Sequence, residues 1–437
     1  MDADLCLIAI AIIASVALLS IWKPKITLVS WIVLLPVQLN TVEQLGFRLA
    51  PADLVLIGIL FGLVAEGWMQ KTCLVRRDRA LVFALALGVW FCVTVVATLS
   101  SLGTVPQHVV VNKIIGFGAL LAIYWVTIQT LQSEERINWS LRWYLKSGSI
   151  WNIVGLGAYA IWRWQGIWTP FMYGGSRLRG LLVDPNSYGG FLVSLFILQM
   201  AMLAMNRHSE RQGWYFVNAG LLLFGIILTV SRSAWLALVV GSVALVAFLP
   251  WRGKRRVLQL GLVVGIVSAL LIWLNADSLK TFTTLASRWP QVAVRYSLVQ
   301  QGLKEFISSP VWGIGLGVFS TLGKSGGHIV HTTYIWLLAE TGAIGLFFFL
   351  GFLLSLYREY RAIRAFQVMS SPYLVIGMGA VVVAWLGFMI GIEGLYQRHF
   401  WFLCGTIGAL YRIAVEQQKS SRNACALADQ GYIIGHD

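Results

Sequence analysis

Between Asn275 and His331 the chain carries Arg288, Arg295, Lys304, Lys324, His328 and His331 against only two acids, Asp277 and Glu305. Cationic groups in such excess attract anions, and histidine is the side chain that gives or takes a proton near neutral pH. A second basic pair, Arg177 and Arg179, stands among Gly174, Gly175 and Gly180, shortly before Asp184-Pro185-Asn186. Two guanidinium groups offer planar, bidentate donors to a phosphate and keep their charge when half buried. Their competing role is to pair with lipid headgroups or with Asp184. Arg232, in Ser231-Arg232-Ser233, either marks a tight turn between two apolar segments or adds a further phosphate contact. His331 opens the segment His331-Thr332-Thr333-Tyr334 and is either a general base or a hydrogen-bonded helix cap. His328, Lys304, Asp184 and Tyr334 are secondary site candidates.

Other chemistries fit less well. Gly323-Lys324-Ser325 has Val318 where a phosphate-binding loop needs its first glycine, and no strand precedes it. A zinc site would want a third ligand near His328 and His331, and the segment offers neither a cysteine nor a nearby carboxylate. No metal and no cofactor are therefore expected. Asp2 and Asp4 form the sole Asp-x-Asp, at the extreme N-terminus, and read as a terminus that sets orientation. Cys6, Cys73, Cys92, Cys404 and Cys425 are scattered without CxxC spacing, so no disulfide framework is indicated. Glu340 and Glu393 read as structural.

The elements that must position these residues are helices in lipid. Hydrophobic residues make up 58% of the 437 and charged residues 12%, and the mean hydropathy is +0.75, which excludes a soluble globular domain. Apolar runs lie near residues 5–22, 26–39, 52–69, 80–98, 112–131, 147–165, 188–205, 214–230, 233–250, 257–274, 332–356, 373–392 and 397–415. The second is short, so the expected fold is all-α, a polytopic membrane protein of about twelve transmembrane helices in one membrane domain, 1–437. The N-terminal run lacks a basic n-region and reads as a retained anchor.

Net charge is +15, and its basic residues cluster beside the apolar runs, which points to topology control rather than nucleic acid. Alternate loops hold Lys23 and Lys25; Lys71, Arg76, Arg77 and Arg79; Arg136, Arg142 and Lys146; Arg207 and Arg211; Arg252, Lys254, Arg255 and Arg256; and Arg358, Arg361 and Arg364. These are assigned to the cytoplasm, with a cytoplasmic tail at 416–437. The loops at 166–187 and 275–331 then share the opposite face. Inside the longer one, Val292, Tyr296, Val299, Leu303 and Phe306 recur at helical spacing until Ser309-Pro310. They predict a short amphipathic helix along the membrane surface, presenting Arg295 and Lys304. Gly313, Gly315 and Gly317 follow as backbone freedom where chain and ligand approach closely.

Several motifs fall in a recognisable order: Arg179-Gly180, Asp184-Pro185-Asn186, Ser231-Arg232-Ser233, Ser309-Pro310-Val311-Trp312-Gly313-Ile314-Gly315-Leu316-Gly317, His331-Thr332-Thr333-Tyr334 and Leu338-Ala339-Glu340-Thr341-Gly342. Over about residues 150–415 the chain resembles the O-antigen ligase and polysaccharide polymerase superfamily, with closest likeness to the ligases. It has His331-Thr332 where many members have His-Asn.

The resemblance implies a GT-C-like membrane fold and a metal-independent, inverting glycosyl transfer. The implied donor is an undecaprenyl-diphosphate-linked glycan, the acceptor a lipid A-core sugar hydroxyl or, in a polymerase, a second lipid-linked repeat. The implied site faces the periplasm from the bacterial inner membrane. Arg179, Arg288 and Arg295, then Arg177 and Arg232, are the implied diphosphate ligands, and His331 the base. Apolar spans would hold the polyprenyl chain among membrane lipids. A lipid-linked sugar transporter is the other class. It would be expected to show paired repeats and mid-membrane ionisable groups, whereas here the charges gather at one face.

Overall fold

The computed structural model describes residues 3–38, 50–70, 78–174, 177–205, 212–274, 289–321, 331–366 and 369–433. Arg288, His328 and Lys324 lie outside the described residues. Ten helices lead up to the long polar segment: α1 (Ala3–Trp22), α2 (Pro24–Leu34), α3 (Pro51–Gln70), α4 (Arg79–Leu102), α5 (Gly116–Thr130), α6 (Glu134–Gln165), α7 (Pro185–Met205), α8 (Gln212–Leu228), α9 (Arg232–Phe248) and α10 (Trp251–Leu274). A π-helical turn, Val109–Ile115, runs directly into α5. After it come α11 (Trp289–Ser308), the short α12 (Val318–Thr321), α13 (Thr333–Phe366), α14 (Pro372–Phe388) and α15 (Arg398–Ile433). Two-residue strands β1 (Met172–Tyr173) and β2 (Arg177–Leu178) pair antiparallel between α6 and α7.

The chain is an all-α, multi-pass membrane protein. Five described helices are long and apolar enough to cross a membrane: Pro51–Met69, Arg79–Leu102, Val109–Thr130, Pro185–Ala204 and Thr333–Phe366. Five shorter apolar helices accompany them. Most of each of the thirteen apolar runs is helical, although the second overruns α2 past Leu34 and the twelfth overruns α14 past Phe388, and several basic residues assigned to loops do not lie in loops. Arg136, Arg142 and Lys146 ride on the first half of α6, Arg252 to Arg256 open α10, and Arg358 to Arg364 close α13. Helices continue past the apolar core because intrahelical bonds satisfy the backbone at no cost in water.

Helix starts are set by capping side chains. Asp78 accepts from Leu81 N, Ser133 from Arg136 N and Ser231 from Ala234 N, each contributing roughly 1 kcal/mol. The centre of the bundle is α7, whose span is buried along its whole length by α8, α9 and α14. Small residues permit this. A Cβ added at Gly241 would lie 2.6 Å from the Ala384 side chain, and one at Gly190 3.0 Å from Phe388. In lipid, such close packing rather than water exclusion drives helix association.

α13 crosses the bundle and is kinked at Gly342, whose φ is +67°. The turn 309–317 is laid against that kink. Ile314 N donates to Ala339 O, Gly315 N to Glu340 O and Ala343 N to Pro310 O, at 2.8–3.1 Å. Gly313, Gly315 and Gly317 all have positive φ, and Cβ atoms there would sit 2.4–2.5 Å from Glu340, Thr98 and Val109. Backbone of α13 and α4 fills the space at Gly313 and Gly315 and the Val109 side chain fills it at Gly317, so the close approach at these glycines is made by protein. Gly313→Ala is expected to lose at least ~1–3 kcal/mol through its left-handed backbone alone. Thermal-shift measurement on purified protein should show a clear loss for Gly313→Ala and none for Gly118→Ala, whose Cβ meets nothing within 4 Å.

Candidate functional site

The hairpin between α6 and α7 is tied to the α8–α9 turn by one arginine. Arg177 Nε donates to Thr229 O at 2.9 Å, and its Nη2 donates to Asn186 Oδ1 at 3.0 Å and to Val230 O at 3.4 Å. Charged donors to carbonyls are strong bonds, so Arg177 fixes three chain segments to one another. Arg179 donates to Pro170 O and reaches Val183 O, which aligns it with its own loop. Asp184 caps α7, accepting from Asn186 N, Ser187 N and Ser187 Oγ. That cap explains the Asp-Pro-Asn sequence: an acceptor, then a proline at the first helical position.

Val230 has φ +49°, the one positive φ at a non-glycine among the described residues. A β-branched residue there is strained, and such strain persists only where neighbours enforce it. Arg177 on its carbonyl and Ser231 capping α9 do so. The turn delivers Arg232 to the first position of α9, half buried.

Opposite stands α11, packed on α13. The amphipathic helix is present, but its faces differ from the predicted stripe. Leu298 is buried while Tyr296 is 63%, Leu303 39% and Ile307 74% exposed. The inner face runs through Arg295, Leu298, Val299 and Gly302, so Arg295 is drawn inward and Lys304 stays exposed. The apolar residues on the outer side suit a helix lying in the membrane interface.

Arg295 is thereby brought beside Arg232. Burial, and then the like charge of Arg232, hold its guanidinium below the ordinary arginine range. Among the described residues neither arginine makes an ion pair or a hydrogen bond. Two half-buried cations without a counter-charge form a site for an anion.

His331 is half buried two residues before α13. Its neighbour Thr333 is fixed to the turn after α14: Thr333 N donates to Met389 O, its Oγ1 to Ile392 O, and Gly394 N donates back to Oγ1, at 2.9–3.0 Å. The same turn touches α9, since a Cβ on Gly391 would lie 2.4 Å from Ser233 Oγ. Through this turn the His331 end of α13 and the Arg232 end of α9 are held together. Tyr334 donates to Leu386 O, which occupies its hydroxyl in packing.

Two ion pairs at this end were not anticipated. Lys113, on the π-helical turn, pairs with Glu393 and lies over the Trp336 and Tyr396 rings at 4.5 and 4.7 Å. Arg398 pairs with Asp53 at 2.6 Å. Each joins residues about 280 or more positions apart, so spacing alone carries no signal for them. Glu340 accepts from Gly317 N and Trp336 Nε1, consistent with a structural role. No group of three or more His, Cys, Asp or Glu is placed to hold a metal among the described residues.

The fold and this end of the bundle define a multi-pass membrane protein with a half-buried pair of arginines at the end that holds the histidine-bearing mouth of α13. Residues 217–350 match the family model described as O-antigen ligase, which supports a likeness to the O-antigen ligase and polymerase superfamily over that segment. The matched segment contains Arg232, Arg295, His331 and Glu340. No curated protein matches the chain.

The two arginine environments separate stability from function. Arg177→Ala is expected to lower thermal stability by several degrees, because it strands carbonyls that a charged donor satisfied. Arg295→Gln should leave stability unchanged or raise it by relieving like-charge repulsion, while lowering the stabilisation that added pyrophosphate confers. Thermal shifts with and without pyrophosphate measure both.

Proposed function

We propose that this protein is an O-antigen ligase, a metal-independent inverting glycosyltransferase that moves a glycan from undecaprenyl diphosphate to a lipid A-core sugar hydroxyl at the periplasmic face of the inner membrane. The observation that supports it most is the pair Arg232 and Arg295, half buried and without an ion pair among the described residues, at the end of the bundle that holds the mouth of α13. A lipid diphosphate is an anion delivered along the bilayer, and its charge grows as the glycosidic bond breaks. Fixed guanidinium groups stabilise that growing charge more than the ground state, which lowers the barrier without a metal.

In this scheme the acceptor oxygen attacks the anomeric carbon from the face opposite the diphosphate. As the new carbon–oxygen bond forms, the bond to the diphosphate oxygen breaks and its electron pair leaves with the diphosphate. The acceptor proton passes to His331, whose position is set through Thr333 and the 389–394 turn. Arg177, bound to Thr229 and Val230 carbonyls, positions the strained turn that carries Arg232. Arg179 extends the cationic surface toward the donor, and Arg288 is assigned the same role from sequence. Lys304, exposed on α11, and His328, from sequence, are assigned secondary roles.

His331→Ala in purified protein is expected to cut glycan transfer by about 10²–10⁴-fold, the usual contribution of a general base. Donor retention and thermal stability should stay at wild-type values. Unimpaired transfer by this variant would remove the base assignment. Loss of the gene separates ligase from polymerase: bare core with accumulated lipid-linked long chains marks a ligase, whereas core carrying single repeats marks a polymerase.

A further inference from the structure

α9, α13 and α14 part around a cavity of about 520 Å³ that runs from Leu386, whose carbonyl accepts from Tyr334, to Arg361 and Arg364. Measured from the kink at Gly342, Arg361 and Arg364 stand 19 or more residues along α13. At 1.5 Å per residue that is about 28 Å, so this charged edge of the cavity lies toward the opposite leaflet. Its wall is apolar, built by Phe248, Leu353, Val383 and Leu386 among others. Arg361 and Arg364 line one edge, and no carboxylate lines it. Glu359, the nearest acid in sequence, lines a different cavity with Asp78 and Arg79.

The two guanidinium groups are oriented by aromatic rings. Arg364 lies 5.9 Å from the Phe248 ring centre and 6.0 Å from that of Tyr360, and Arg361 lies 5.9 Å from that of Tyr357. Tyr360 is 7% exposed, and Arg364 lies against its hydroxyl oxygen, but the hydroxyl's own hydrogen meets no acceptor among the described residues. A buried hydroxyl facing an apolar cavity is costly unless an occupant supplies an acceptor. An apolar chamber open toward lipid, edged by two cations and an unsatisfied donor, matches a molecule with a hydrocarbon tail and an anionic, acceptor-rich head.

We propose that this cavity binds one anionic phospholipid of that leaflet. An acyl chain fills the space between α13 and α14, the phosphate sits at Arg361 and Arg364, and the Tyr360 hydroxyl donates to a headgroup or ester oxygen. The site is separate from the glycosyl-transfer machinery and does not depend on that assignment.

Native mass spectrometry of the full-length, delipidated protein with dioleoylphosphatidylglycerol or dioleoylphosphatidylcholine tests this. The wild type should retain the anionic lipid roughly tenfold better than the neutral one. The double variant Arg361→Gln/Arg364→Gln should bind the two equally, and Val383→Trp, which fills the chain space, should lose both. Both variants are checked by size exclusion and thermal unfolding; should Val383→Trp fold poorly, the charge variant alone decides. Equal retention of the two lipids by the wild type overturns the proposal, as does unchanged anionic-lipid retention in the charge variant. Full competition by glycerol 1-phosphate would show a phosphate site with no need of a chain, and would overturn it too.

Discussion

The arrangement of the cationic end depends on one buried carboxylate. Glu340 sits beside the kink in α13 and accepts both the Gly317 N–H and the Trp336 indole N–H. One bond reaches across to the turn that follows α11; the other stays on α13 four residues back toward its mouth. The surface helix that carries Arg295 and the helix mouth that carries His331 are thus referred to a single side chain. A glycine at Gly342 lets the α13 backbone turn aside, and Thr98 and Trp90 of α4 close the junction from outside. Removing the carboxylate would leave two buried N–H groups without partners, each a cost of roughly 1–3 kcal/mol.

Around that junction the protein holds charge of one sign in a place that would ordinarily neutralise it. Acids at the same end are already committed: Glu393 to Lys113, Asp53 to Arg398 and Asp184 to capping α7. Arg232 and Arg295 are left to face each other, and the α8–α9 turn bears backbone strain at Val230 to deliver one of them. Binding sites are commonly built this way, with repulsion and strain supported by packing elsewhere.

Much of the scaffold was legible in the sequence because lipid imposes a simple rule. A segment that crosses must be helical and apolar, and most of each apolar run is indeed helical. The helix 289–308 was legible too, since its period is local. What periodicity could not settle was which side of that helix faces protein, because apolar residues serve equally well against lipid. Gly313, Gly315 and Gly317 announced a close approach, yet not its partners, which are backbone of α13 and α4 for the first two and the Val109 side chain for the third. Lys113 with Glu393 and Asp53 with Arg398 left no sequence signal, as each pair closes over hundreds of residues.

The complete burial of α7 bears on how the protein is made. Its Gln199 accepts from Asn218 and donates to the Tyr215 carbonyl, partners that arrive with the very next helix. Its Ser194, by contrast, accepts from Trp385, which lies 191 residues further along the chain. During synthesis α7 must therefore wait in the bilayer, half clothed by α8, with small residues such as Gly190 still turned toward lipid, until α14 emerges. The bundle is assembled from its middle outward but can be closed only at the end, so a chain cut short before α14 would leave its most central helix at the surface.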